Sequence, residues 1–581
     1  MMLGAIGFWL CVVADLSHGV PPDEPFLWKR VVEAYGGESL HRLKSLQMEA
    51  RMGGTFEAIT TVWLASDQSY TRWRTAVSDQ FTVSEGTLAW HVDENGFKRE
   101  LGADEQGEGD MAGVLLDFPW ALAHARDQLT VTLPTHPTLT HHLEISLAGS
   151  HRATLTLDPI HHWLEHAVIA YESGGTWEVS FADYRRIEGV AFPFRTTVTS
   201  DSGPYTLEVL TLVVNPPVPT AVLASSVLFL THVRFVDPAA STVTIPLMTG
   251  GGRLRVPLKV NGQKATFLLD TGANADFISP ALVNRLSLPR VPYGQAQGVG
   301  HETPKVHLVR LSLLEVGGLR YESHVLRSLP LGGDEGLLGY SFLFPLVVEL
   351  NFLRQEMVVY REGAFRLPPG AVTLSLSLPT GLPMVTAEIK GVGPARLFLD
   401  TGYDGGWELY RPFVRKHGLS ERPGGAIGGI GGIENIGIVE LDEVKLARTS
   451  FPKVQAIVTK GGDPLFDGLI GVGFFQRLAG VVFDYRGGRL HLLPKPWFGM
   501  RFASAQGDSL TVEGVEPGGP ADQAGIQSGD VFTAVGGEAV ASLSKFRRLM
   551  VGRGVGEAVP VTLRRGEMLR TLTVTLGPSF Q

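Results

Sequence analysis

Residues 26–46, FLWKRVVEAYGGESLHRLKSL, place apolar side chains at helical spacing in two stretches parted by Gly36-Gly37, and so predict helix, turn, helix. Beyond them the hydrophobic period shortens to two. The runs FEAITTVWLAS (56–66), TLAWHVDENGFKREL (87–101), RATLTLDPIHHWLEHAVIAYE (152–172) and TWEVSFADYRRIEGVAFPFRTTVTS (176–200) predict strands. The turn pairs Asn95-Gly96 and Asp158-Pro159 join runs that continue each other's alternation, as an antiparallel meander does. The stretch VVNPPVPTAV (213–222) reads as the exit from this first unit, taken as residues 24–225.

From about residue 240 the chain runs twice through one plan. VPLKVNGQKATFLLDTGANADFIS (256–279) is strand, Asn-Gly hairpin, strand, then Asp270-Thr271-Gly272; MVTAEIKGVGPARLFLDTGYDGGWEL (384–409) repeats it with a Gly-Val-Gly turn and Asp400-Thr401-Gly402. The triplet Leu337-Leu338-Gly339 begins 67 residues after Asp270, and Leu469-Ile470-Gly471 begins 69 after Asp400. A strand-like run follows each triplet, LVVELNF (346–352) and GVVFDYR (480–486). One Asp-Thr-Gly is weak evidence of anything, but two copies with matched flanks place two carboxylates in equivalent settings. Two carboxylates about 3 Å apart cannot both ionise comfortably, so such a pair shares one proton and supplies an acid and a base together.

This repeated plan resembles the retropepsin-like aspartic peptidases over roughly residues 245–495, with lobes taken as 240–366 and 370–495. The resemblance implies that Asp270 and Asp400 are catalytic and that Thr271, Gly272, Thr401, Gly402, Gly339 and Gly471 support the catalytic loops. It also implies a substrate-covering flap in each lobe, at QAQGVGHETP (295–304) with Gly298 and Gly300, and at AIGGIGGIENIG (426–437) with Gly429 and Gly431. Both lobes lie in one chain, so an intramolecular dyad is expected. The second loop departs from the family: Tyr403 stands where a small residue usually packs, followed by Asp404 and two glycines. Asp276 and Asp404 are read as turn or substrate-contact residues.

Residues 497–579 contain GVEPGGPADQAGIQSGDVFTAVGGEAV (514–540), which resembles bacterial PDZ domains. The resemblance implies peptide capture at a sheet edge, with Gly499, Met500, Arg501 and Phe502 at the carboxylate-binding loop. The first unit, through AYGG, LTLDPIHHWLEHAVI and FADYRRIEGVAFPFR, is similar to the half-barrel domains of bacterial lipoprotein carriers. The fold expected is therefore mainly β and multidomain: an α+β half-barrel-like domain, two acid-protease lobes and a PDZ domain.

Composition adds limits. With 44% hydrophobic residues, 19% charged, 70 Gly and 36 Pro the chain is globular and rich in turns, and its net charge of −9, without long like-charge runs, favours no nucleic-acid partner. Peptide or protein substrates are the expected partners, with a C-terminal peptide ligand at the PDZ domain. The apolar run LGAIGFWLCVVA (3–14), which holds the single cysteine Cys11, is too short to span a bilayer and resembles the core of a secretory signal, taken as residues 1–19, although no Lys or Arg precedes it. Export to the periplasm or outside the cell is expected, or a cytoplasmic location if this segment is not a signal. No metal or cofactor is expected: His161 and His162 fall at a hairpin turn and lack acidic or thiol companions at a zinc spacing, although His162 and His166 would share a strand face. Two functions remain open, an aspartic endopeptidase and a non-catalytic envelope protein that binds peptides or lipoproteins with a degenerate second lobe.

Overall fold

A computed structural model describes residues 25–65, 68–86, 88–102, 110–126, 129–133, 141–147, 152–170, 176–200, 203–217, 233–250, 252–295, 304–429, 432–461, 465–503 and 510–580. The opening helix Phe26–Tyr35 buries Trp28, Val31, Val32 and Tyr35, one stripe at helical spacing. It ends at Gly36, whose φ of 146° brings its Cα so near the Gly189 carbonyl that a β-carbon would lie 3.1 Å from that oxygen. The second helix expected here is corrected. Gly37–Arg42 is a short 3₁₀ turn, and the chain enters a strand at Ser45, where Leu46, Met48, Ala50 and Met52 alternate into the core.

Among the described residues, thirteen strands form one antiparallel sheet in which sequence neighbours pair except Lys98–Glu100 and Leu129–Thr132, its two open edges, and the first strand, Ser45–Gly54, also pairs with the last, Tyr205–Val214. This half-barrel-like sheet covers the opening helix and two further helices, Asp110–Leu116 and Phe118–His124, that the hydrophobic pattern did not reveal. Phe118 packs edge-on against Trp28 and Tyr35 at the centre of this core. His161 and His162 lie in the turn after Asp158, where His161 Nδ1 is 2.8 Å from the Asp158 carboxylate and His162 meets Arg30; only His166 is on a strand, so the shared face expected for His162 and His166 does not form.

The hairpin after Leu88–Val92 does more than turn the chain. Asp93 Oδ1 accepts from the Asn95 and Phe97 amides, folding Asp93–Phe97 into a tight knot that enters the first lobe. Asn95 pairs with both backbone groups of Val325, and Phe97 joins the lobe core against Phe344. Glu94 forms a two-pronged ion pair with Arg327, with both side chains buried.

Each Asp-Thr-Gly segment lies in its own mixed sheet, and a third sheet of six strands joins the lobes through antiparallel pairing of Val347–Asn351 with Gly480–Asp484. These are the runs noted after the two glycine triplets, and they close one core that both lobes share. The C-terminal domain has its own core around Phe498, Phe532 and Val561. Its last strand, Gly577–Ser579, returns to pair with Lys495–Trp497 where the domain begins. Among the described residues no helix is long and apolar enough to cross a membrane; the proposed signal, 1–19, lies outside them.

Candidate active site

The strand Gln263–Leu269 delivers Asp270, and Gly393–Asp400 delivers Asp400. Each runs parallel to the strand holding its glycine triplet: Leu268 opposes Leu337, and Phe398 opposes Leu469. The chain after each Asp then crosses back over that triplet. A β-carbon on Gly339 would lie 2.3 Å from the Ala275 carbonyl oxygen, and one on Gly471 2.3 Å from that of Gly405, so both crossings require glycine.

The two loops meet tip to tip with mirrored bonds. The Thr271 amide donates to Thr401 Oγ1 and the Thr401 amide to Thr271 Oγ1, both at 3.0 Å. Each hydroxyl in turn donates across the interface, Thr271 to the Leu399 carbonyl at 2.7 Å and Thr401 to the Leu269 carbonyl at 2.8 Å. Gly272 and Gly402 allow the closest approach: a β-carbon on either would stand 2.5 Å from the carboxyl carbon of the opposite aspartate. The Asp270 and Asp400 carboxyls thus come together where the loops meet, and Oδ1 of each accepts from the amide two residues on.

Burial raises both carboxyls, and the neighbouring Asp400 charge raises Asp270 further, well above the usual carboxylate range. The pair is therefore built to hold one proton between two oxygens, with an amide fixing one oxygen of each carboxyl.

Tyr403 does not disturb this frame. Its amide donates to Asp400 Oδ1 at 3.1 Å, and its ring lies over Gly405 and Gly471, where a β-carbon would meet its OH at 2.0 Å and its Cδ1 at 2.5 Å. Gly405, directly after Asp404, makes room for the large residue. Asp276 is corrected as a substrate contact: fully buried, it accepts from the Gly339 and Phe342 amides and lies 2.6 Å from His324 Nε2, so it ties the crossing loop together. Asp404 is exposed and rests against Gly252 of the first lobe.

Gly298, Gly300 and Gly431 lie outside the described residues. The strands beside them form hairpin stems, Gln295 opposite Lys305 in the first lobe and Gly429 opposite Gly432 in the second. Sequence reasoning missed the support behind the first loop, where Arg327 joins Glu94 to Asn274, four residues past Asp270. Glu94 and Arg327 are 233 positions apart, and nothing local marks them as partners.

In the C-terminal domain Gly499 turns with a φ of 77° against Pro520, and Met500–Phe502 forms the edge strand of its sheet, paired on one side to Leu510–Val515. Met500 and Phe502 are half-buried, Arg501 is exposed, and the Phe502 ring lies 4.9 Å from Phe546 on the neighbouring helix Leu543–Met550.

Residues 256–342 and 385–474 match the family model for aspartyl proteases, and 496–576 match that for PDZ domains. The chain thus carries two aspartyl protease segments and a C-terminal PDZ domain. A Synechocystis protein named as a serine protease, HhoA, is 37% identical over 67 residues, 12% of this chain and 17% of that protein, so only a minor part of the relative's length is spanned. A retropepsin-like aspartic protease from Rickettsia conorii is similar at 19% identity over 21% of this chain and 98% of its own, with a TM-score of 0.18. A LolA superfamily protein from Nitrosomonas europaea is similar at 13% identity over 32% of this chain and 94% of its own, with a TM-score of 0.25.

Proposed function

We propose that this chain is an exported aspartic-type peptidase, in which Asp270 and Asp400 activate one water and the PDZ domain captures peptide ends. The mirrored Thr271–Thr401 contact, with each carboxyl set against the glycine of the opposite loop, is the observation that carries the reading. The ionised member of the pair takes a proton from water as it attacks the peptide carbonyl, and the protonated member donates to the developing oxyanion. The threonine bonds keep the two carboxyls in register, so that no reorganisation is needed at the moment of attack. No step calls for a metal or cofactor.

The edge strand Met500–Phe502 offers unpaired backbone groups to an extended peptide, and the turn at Gly499 offers amides to a terminal carboxylate. Substrate delivery is the role this suggests. Hydrolysis of casein and a mixed peptide library between pH 4 and 8 tests the catalytic type. Turnover blocked by a statine peptide and indifferent to serine-directed phosphonates and to chelators is expected. Turnover blocked by the phosphonate alone would contradict it.

A further inference from the structure

The two halves of the cleft differ in one place that residue counting hides. Side chains alternate along a strand, so Leu268 stands on the face that carries the Asp270 carboxyl and Phe398 on the face that carries Asp400. In the first lobe Leu268 opposes Leu337, and Leu337 opposes Phe277. In the second, Phe398 opposes Leu469, and Leu469 opposes Glu408. Glu408 is thus the partner of Phe277 by register, although one lies seven and the other eight residues beyond its aspartate. The first row is apolar, packed with Leu331 and Tyr293. The second holds a carboxyl among Phe398, Tyr403, Tyr410 and Leu469.

Glu408 is 6% exposed, and its Oε1 accepts from Thr459 Oγ1 at 2.7 Å. Thr459 is its one protein hydrogen-bond donor among the described residues, and the second oxygen is not sealed from solvent, so it stays within reach of a bound group. A carboxyl buried to this degree is costly unless something pairs with it. Glu434, Asp400 and Tyr403 face it, and none is a cation.

We infer that Glu408 makes the second-lobe half of the cleft a pocket for a cationic side chain, Lys or Arg, of the bound peptide, opposite an apolar pocket around Phe277. This rests on the peptidase reading and adds its specificity. The substrate ammonium or guanidinium would pair with that second oxygen, while the flanking rings exclude water from the pair. Burial, with the charges of Asp400 and Glu434, pushes the Glu408 carboxyl up to about 7 against the Thr459 bond, so the preference for a cation strengthens as pH rises through neutrality.

The test uses the full chain as wild type, Glu408→Gln and Glu408→Leu, each checked for folding by thermal unfolding. Internally quenched peptides, acetylated and amidated so that the PDZ domain has no free carboxylate to hold, carry Lys, Arg or norleucine at each position in turn. At pH 7.5 the wild type is expected to favour Lys or Arg at one position by roughly tenfold or more in kcat/KM. Both variants should bring that ratio to about one, and in the wild type alone the ratio should fall between pH 7.5 and 5.5. A ratio unchanged by both substitutions, or no cation preference in the wild type, overturns the inference. The same peptides with a statine at the scissile bond separate it from the peptidase reading. If nothing is hydrolysed but the wild type binds the Lys form at least about tenfold more tightly and Glu408→Gln does not, the pocket stands and the catalytic reading falls. Equal or absent binding of all forms overturns the pocket.

Discussion

Tyr403 is where the two Asp-Thr-Gly loops differ most, and its cost is carried by the glycines beneath it. A β-carbon at position 405 would meet the Tyr403 hydroxyl, the far end of a side chain that can move, whereas one at 471 would also strike the Gly405 carbonyl. Gly405→Ala is therefore expected to destabilise the chain in the presence of Tyr403 and to be nearly neutral beside Tyr403→Ala, a coupling of about 1 kcal/mol or more in a double-mutant cycle read by denaturant unfolding. Additive effects would show that the ring does not rest there. The threonines make a second residue-scale case. Thr271→Ala removes the acceptor of the Thr401 amide and the donor to the Leu399 carbonyl, leaving two buried backbone groups unpaired at about 1–3 kcal/mol each. Thr271→Ser keeps the hydroxyl and should retain most of the stability and turnover; an equal loss in both would show that the methyl, not the bonds, matters.

Among the elements described, the first lobe is gripped by the half-barrel-like domain at several points, whereas the second meets it through the Arg99 guanidinium, which donates to the Leu378 carbonyl at 3.0 Å. Besides the Glu94–Arg327 pair, the first-lobe stem strand Val291–Gln295 is clamped: the Gly294 amide donates to the Thr55 carbonyl at 2.7 Å, Phe56 bridges to Tyr293, and Tyr293 donates to Gln80. Hydrogen exchange should accordingly be slower at the stem Val291–Gln295 than at Arg422–Gly429, and the difference should disappear in Glu94→Gln if the domain loosens as a unit. Removing one partner of a buried pair costs about 3–5 kcal/mol, so the same variant should show a clear loss in denaturant unfolding. Equal exchange at both stems in the wild type would contradict the clamp. This asymmetry was beyond the reach of the sequence. The repeat, the aspartates, the triplets and the PDZ signature are local patterns, written within a few tens of residues. Asn95-Gly96 was legible as a turn, but its docking into Val325 depends on a partner in another domain. Glu408 was hidden for a related reason, because an extra residue after Asp400 shifts it in sequence while strand register restores it to the place of Phe277. The helices Asp110–Leu116 and Phe118–His124 are too short for periodicity to mark, and packing against the sheet stabilises them.

At the scale of the whole molecule, several buried carboxyls bind protons more tightly in the folded chain than in the unfolded one. Burial and the adjacent Glu94 push Asp93 up to about 8, and Asp93 Oδ2 is buried without a partner; burial also raises Asp117. Between the unfolded and folded values the folded chain carries more protons, so stability is fully present below the unfolded pKa and is lost as pH rises through the folded one. The melting temperature should fall from pH 5 to pH 8, and Asp93→Asn should flatten that slope; a melting temperature that climbs over this interval would contradict the assignment. The Asp270–Asp400 pair follows the same sign, since its raised carboxyls hold a proton to higher pH than an isolated aspartate would. The most direct test compares hydrolysis of the peptide library by folded wild type, Asp270→Asn and Asp400→Asn. Loss of turnover in both variants is expected of a dyad built by one chain, whereas full activity in Asp400→Asn would show that the second lobe supplies no catalytic carboxyl and would contradict it.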